Sequence, residues 1–396
     1  MPSLSAADDL PVAWCKLLIV EQGEGLWGAQ RYLLRLAPLL EARGIEQVLA
    51  APADSALGAA WTASGRRHVV LASPDDRRVR SESGRINPLL AVREVTRTLR
   101  LAWQTARLAR LEGATAIHAN SHWSHLEGVL AGRIARKPAI LHLHEENEPD
   151  LLGRLRGLSV RASAATIAVS PAVRDSLPEK AQRHTVVIAN GVDAVSIQPA
   201  PANPTIRDQM TDSPADPVVL TACRLDPRKG VQHVIAAIAA LPPELANVRM
   251  AIAGSGSLDP TYAATLKEIA AEKLPGRARF LGHRDDVVDL FHAADVLALA
   301  STLEGMPLGV LEAQAAGLPV VAWPAAGIPE LIDHGVNGLI AEYESVEDLT
   351  RQLARVLSDS ALRESMSAAA RASVLAEHTL DRQADEQAAL LNGLLG

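Results

Sequence analysis

Short apolar runs alternate along the chain with longer stretches whose apolar positions recur every three to four residues. The first run is KLLIV (16–20), followed by a helical pattern over about 29–43. QVLAA (47–51), HVVLA (68–72), a long helical stretch near 88–112, TAIHA (115–119), AILHL (139–143), ATIAV (165–169) and TVVIA (185–189) come next. Runs without an alternating polar face predict strands covered on both sides, hence a parallel sheet between helical layers. Residues 199–217 then hold Pro199, Pro201, Pro204, Pro214 and Pro217, a density that predicts a linker or crossing loop. After it the alternation restarts with VVLTA (218–222), VRMAIAG (248–254), RARFLG (277–282), DVLALA (295–300) and LPVVAW (318–323). The expected fold is α/β: two doubly wound Rossmann-like domains, 1–198 and 218–378, facing across a cleft. Such sheets take ligands beyond the carboxyl ends of their strands.

Composition narrows the function classes. At 396 residues the chain exceeds what one core usually organises, and 48% hydrophobic with 21% charged residues argues against disorder. A net charge of −7 disfavours nucleic acid as a partner. Cys15 and Cys223 each sit in an apolar run, which fits buried thiols in a reducing compartment better than a disulfide. The start, MPSLSAADDLP, lacks a basic segment and carries Asp8 and Asp9, unlike a secretory signal. No apolar run reaches the ~18–20 residues that span a bilayer. The expectation is a cytoplasmic protein.

Residues 301–321 read STLEGMPLGVLEAQAAGLPVV and carry the chemistry. Gly305 and Pro307 keep Glu304 out of the helix that follows, and proline suits a first helical position. Leu308, Gly309 and Val310 are then expected to present free backbone N–H groups where the helix dipole favours an anion. Glu312 lies roughly 7 Å along the axis from that start. Two carboxylates flanking an anion site suit a nucleotide diphosphate sugar, which has vicinal hydroxyls at both ends and diphosphate between.

Residues 304–321 resemble the E-x7-E motif of the family 4 glycosyltransferases, which have the GT-B fold. The resemblance implies that Glu312 holds ribose and Glu304 the donor hexose, with Met306, Leu308, Gly309 and Val310 along the donor between them. AAGIPELI (325–332) resembles the family's Gly-Gly-x-x-Glu segment, with Ala326 for its first glycine, and NGVD (190–193) also matches. CRLDPRKG (223–230) resembles R-x4-K-G, with Cys223 where glycine is common. By that likeness Arg224 and Lys229 neutralise the leaving diphosphate. Gly254 in AGSGS (253–257) would approach the nucleotide, and backbone near Arg284 in GHRDDV (282–287) would hold the base. His144 in LHLHEENEP matches the family's strand-end histidine, which bonds the donor sugar. GEGLWG (23–28) matches a Gly-rich loop over the diphosphate, through Gly28, with Trp27 and Gln30 departing from the pattern. Trp27, His118 and Asn120 are the acceptor-side candidates. The resemblance also implies that the last helix, in 379–396, crosses back to the first domain.

Other readings stay open. GEGLWG equally fits a dinucleotide fingerprint with Asp54 as ribose ligand, though this leaves 301–321 unexplained. His118, His122, His125, His142 and His144 cluster, yet neither H-E-x-x-H nor D-x-D occurs, so neither metal nor cofactor is expected beyond the nucleotide sugar. The stretch 88–112 sets Arg93, Arg97, Arg100, Arg107 and Arg110 against Glu94, with Leu89, Leu90, Val95, Leu99 and Leu108 as apolar positions. Such a helix either docks peripherally on anionic lipid or packs on a sheet with its charges in water. The expected activity is retaining hexose transfer, from a UDP- rather than a GDP-sugar, to a glycan, lipid-linked or small-molecule acceptor. A nucleotide-sugar epimerase or phosphorylase, and a non-catalytic binding protein of the same fold, are the alternatives.

Overall fold

A computed structural model describes residues 15–395 apart from 24, 27, 73–87, 148–150 and 257–259, so Trp27 lies outside the described residues. The chain forms two parallel sheets flanked by helices, as the apolar runs predict. The first contains β1 (Cys15–Val20), β2 (Ile45–Ala51), β3 (His68–Val70), β4 (Ala116–Ala119), β5 (Ala139–Leu143), β6 (Ala165–Ala168) and β7 (Thr185–Val187). Their order is β3-β2-β1-β4-β5-β6-β7, and every pairing is parallel. The second contains β8 (Val218–Ala222), β9 (Arg249–Ala253), β10 (Ala278–Gly282), β11 (Val296–Leu299), β12 (Val320–Ala322) and β13 (Gly338–Ile340). Its order is β10-β9-β8-β11-β12-β13, also parallel.

Each sheet reverses its winding direction once, between β1 and β4 and between β8 and β11. Loops diverge at such a switch point and leave a crevice at the carboxyl ends. The segments after β1, β4, β8 and β11 carry most of the candidate residues, so topology gathers sites that sequence separates.

Two features depart from the apolar pattern. β13 lies outside the apolar runs that predict strands. The proline-rich segment is not all loop: Pro204–Met210 is a helix capped by Asn203, whose side chain accepts from the Thr205 amide. Ile206 and Met210 bury in the same core as Leu220 and Leu290 of the second domain. Pro204 begins this helix rather than breaking one, because a first-turn residue needs no N–H acceptor.

The helix Leu380–Leu395 leaves the second domain and lies on the first. Its Leu380, Ala384, Ala388 and Leu391 share a core with Leu17, Tyr32 and Leu36. Gln383 accepts from the Gly191 amide at 2.8 Å, and Arg43 bonds Asp385 at 2.7 Å. Among the described residues no helix is long and apolar enough to cross a membrane.

Candidate active site

The helix Leu308–Ala315 begins one residue later than the sequence suggests. Pro307 is its N-cap, extended at φ −71° and ψ 117°. The Val310 amide consequently donates to the Pro307 carbonyl at 3.1 Å, and its side chain is buried. Of the three amides expected to be free, only Leu308 and Gly309 precede the first helical bond and can meet an anion. Both line an interdomain cleft with Glu312. The Glu312 carboxylate forms an ion pair with Arg35, which comes from the opposite domain.

Arg224 enters the same cleft from the segment after β8. Asp226 accepts from Arg224 at 3.0 Å and caps the short 3-10 turn Pro227–Lys229 through the Arg228 amide. Burial opposes ionisation of Asp226, yet the bonds from Arg228 and the nearby Arg224 charge hold its pKa at about 2. Lys229 reaches Glu304 at 2.7 Å, and Glu304 is almost wholly buried. Gly254 stands at φ +151°, where a Cβ would fall 1.8 Å from the Cys223 carbonyl oxygen, so only glycine lets the ends of β8 and β9 approach this closely. Burial raises the Cys223 thiol to about 12, leaving it neutral beside these charges.

His144 directly follows β5 and bonds Asn120 at 3.1 Å. The loop carrying Glu304 lies directly against it: a Cβ on Gly305 would sit 1.8 Å from the His144 carbonyl oxygen. Behind His144 the rings of His142 and His118 stack in series, with centroids 4.2 and 5.5 Å apart. Burial lowers the pKa of His118 to about 4 and of His125 and His144 to about 3, keeping the cluster neutral. His118 and Asn120, the acceptor-side candidates, are both buried, at 4% and 0% exposure. They support His144 from within. Among the described residues no three His, Cys, Asp or Glu side chains group as metal ligands.

One donor-side candidate is committed elsewhere. Met306 is buried, its sulfur accepting from the Asn190 amide at 3.2 Å and its carbonyl from the Asn190 side chain at 2.9 Å. Arg284 also lines the cleft, where the expected contact is through backbone; Asp286 holds its guanidinium through two bonds of 2.7 and 2.6 Å. Arg31 and Arg35, by contrast, escaped the sequence reading. They lie four apart on the helix Gly28–Ala42 and line the cleft beside Gly28. Arg31 reaches Asp285 at 3.1 Å, so both arginines bridge the domains. Their spacing, one turn into a helix after a Gly-rich strand end, was the available signal.

Two Rossmann-like domains sharing one cleft, lined by cations and a helix start, define a GT-B protein of the nucleotide-sugar type. Residues 27–195 match the family described as Glycosyltransferase Family 4, and residues 203–373 the one described as Glycosyl transferases group 1. The chain belongs to the family 4 glycosyltransferases. A curated relative is the GDP-mannose-dependent monoacylated alpha-(1-6)-phosphatidylinositol monomannoside mannosyltransferase of Corynebacterium glutamicum, 31% identical over 48% of this chain and 51% of that protein. The chain spans about half the length of this relative and about a third of the N-acetyl-alpha-D-glucosaminyl L-malate synthase of Bacillus anthracis, 51% and 37% respectively. Among solved structures, Anabaena HepE in complex with UDP-glucose superposes with a TM-score of 0.79, at 25% identity over 96% of this chain and 99% of that one. Sucrose-phosphate synthase from Thermosynechococcus elongatus shares the fold at a TM-score of 0.75 and 18% identity, over 96% and 99% of the two chains. Membership in this family displaces the dinucleotide reading of residues 23–28.

Proposed function

We propose that the chain transfers a hexose from a UDP-sugar to a hydroxyl acceptor with retention of anomeric configuration, without a metal. The observation carrying this reading is the convergence of Glu312, the Leu308 and Gly309 amides and Arg224 on one cleft. Glu312 accepts the ribose hydroxyls, for which Arg35 stands in now. The amides and Arg224, with Lys229 alongside, take up the charge that grows on the departing diphosphate, the largest electrostatic demand of the reaction. Glu304 is paired with Lys229 and serves the sugar hydroxyls rather than acting as a nucleophile. The departing phosphate accepts the acceptor's proton on the face it leaves. Closure of the two domains excludes water and limits donor hydrolysis.

The first test is a thermal-shift panel of UDP-, GDP- and ADP-sugars with their free nucleotides, with and without magnesium. A ligand at 100 times its Kd adds about 2.7 kcal/mol. Stabilisation by the UDP series without magnesium is expected; a shift with NAD(H) alone would sink the reading. The GDP series is the second reading, favoured by the GDP-mannose-dependent relatives. Glu312→Ala should weaken donor binding about 10- to 100-fold, since a charged hydrogen bond contributes ~1.5–3 kcal/mol. Wild-type affinity in a calorimetric titration would remove the ribose assignment.

The acceptor side of the proposal includes a membrane surface. On the helix Pro88–Leu111, Val92, Val95, Leu99 and Trp103 recur every three to four residues and are 62, 59, 54 and 56% exposed. Leu101, Ala102 and Ala106 fill the packed face instead, so Val95 and Leu99 do not join the core. Exposed Arg100 and Arg107 flank the apolar stripe. An apolar stripe edged by arginine suits an anionic bilayer carrying a lipid-linked acceptor. Trp103→Ser should reduce sedimentation with phosphatidylglycerol vesicles at least threefold and leave phosphatidylcholine vesicles unaffected. Equal sedimentation of variant and parent would remove the membrane from the proposal.

A further inference from the structure

Glu21 is a carboxylate wholly withheld from water that the proposed chemistry does not use. It follows β1 at the switch point of the first sheet. No cation lies within ion-pair distance of it among the described residues. Burial of a charge is costly unless donors satisfy it, and two do. The Gly23 amide donates to Oε1 and the Asn120 side-chain Nδ2 to Oε2, each at 2.6 Å.

Asn120 is itself fully buried, and its amide has two unlike ends. With Nδ2 turned to Glu21, Oδ1 faces His144 Nε2 at 3.1 Å. A carbonyl oxygen only accepts, so that ring nitrogen must carry the proton. A neutral imidazole has one N–H, which leaves Nδ1 bare. Nδ1 has no partner among the described residues. The ring cannot swing to compensate, because His142 stacks on it at 4.2 Å and Tyr32 meets it edge-on at 5.6 Å. Tyr32 is in turn held through its hydroxyl by Gln387 of the last helix.

We propose that Glu21 is a positioning residue: acting through Asn120, it fixes His144 in the Nε2–H tautomer, so that Nδ1 accepts a hydrogen bond from a hydroxyl of the transferred sugar. The role of Nδ1 rests on the transferase reading above; the relay from Glu21 to the imidazole does not. Burial agrees with it by keeping His144 neutral at working pH.

The experiment is nitrogen NMR of the full-length chain carrying 15N-histidine, with His144→Gln to assign the resonance and no substrate present. His144 protonated at Nε2 is expected. In Glu21→Gln, the new NH2 must face either the Gly23 amide or Asn120, and Asn120 answers the second by turning over. A population protonated at Nδ1 should then appear, and kcat should fall ~10-fold or more because a protonated Nδ1 no longer accepts from the sugar hydroxyl, with donor Kd within threefold. Wild-type His144 protonated at Nδ1 would overturn the proposal, and that measurement needs no variant to fold. So would a Glu21→Gln protein with an unchanged tautomer, or with an altered tautomer and unchanged kcat. The expected tautomers without turnover on any nucleotide sugar would support the relay and count instead against the transferase reading.

Discussion

Between pH 6.5 and about 4 the protein should lose much of its stability, beginning above the range in which ordinary carboxylates titrate. His118, His125 and His142 are buried at 4, 2 and 0% exposure. Desolvation lowers their pKa values to about 4 for His118, about 3 for His125 and well below 6.5 for His142. Unfolded, each takes up a proton near 6.5. Below that pH the unfolded chain binds more protons than the folded one, so stability falls as pH falls. The loss continues until the folded-state values are reached. At pH 5 each site contributes ~2 kcal/mol of destabilisation, and three together ~6 kcal/mol, comparable with the whole stability of many domains. Urea denaturation at pH 7, 6 and 5 measures it. His142 is the diagnostic position, because neither of its ring nitrogens has a hydrogen-bond partner among the described residues. An apolar ring loses no bond there, so His142→Phe should flatten the pH dependence by about a quarter, His144 being held neutral in the same way, at little cost at pH 7. A midpoint constant from pH 7 to 5 would contradict the burial argument.

Gly305→Ala should abolish most turnover. A methyl group at Gly305 would lie 1.8 Å from the His144 carbonyl oxygen, far inside contact distance, and backbone has no rotamer by which to yield. The Gly305 carbonyl is itself pinned by the Gly327 amide at 2.9 Å. The loop must therefore move away from β5 and carry Glu304 with it. Misplacement by ~1 Å can cost ~100-fold in rate, and a fall in kcat of that order is expected in single-turnover measurements. Gly305→Ala with kcat within threefold of the parent would show that His144 and Glu304 need not meet for reaction.

The legible parts of this protein are those in which neighbours in sequence are neighbours in space. Strands such as Cys15–Val20 and Val218–Ala222 are buried on both faces, so their apolar runs reveal them without alignment or template. Glu304 and Glu312 flank one helix start, and the spacing that reveals them is local. Even there the chain alone was one residue out. Whether Pro307 caps the helix or begins it depends on its ψ, and that decides whether Val310 has a free amide.

Sequence by itself determined the two doubly wound domains, the position of the anion-receptive helix and its pair of carboxylates, because periodicity and helix-start chemistry are short-range. Only the tertiary structure decided what those groups face. Arg35 meets Glu312 across 277 residues, Lys229 meets Glu304 across 75, and Glu21 reaches Asn120 across 99. His118 and Asn120 look like site residues at a strand end, yet the sheet turns them inward, beneath His144. Nothing in the spacing of a parallel sheet says which strands will be adjacent. That follows from crossover and burial, which order β1 beside β4 and β8 beside β11 and so open the cleft.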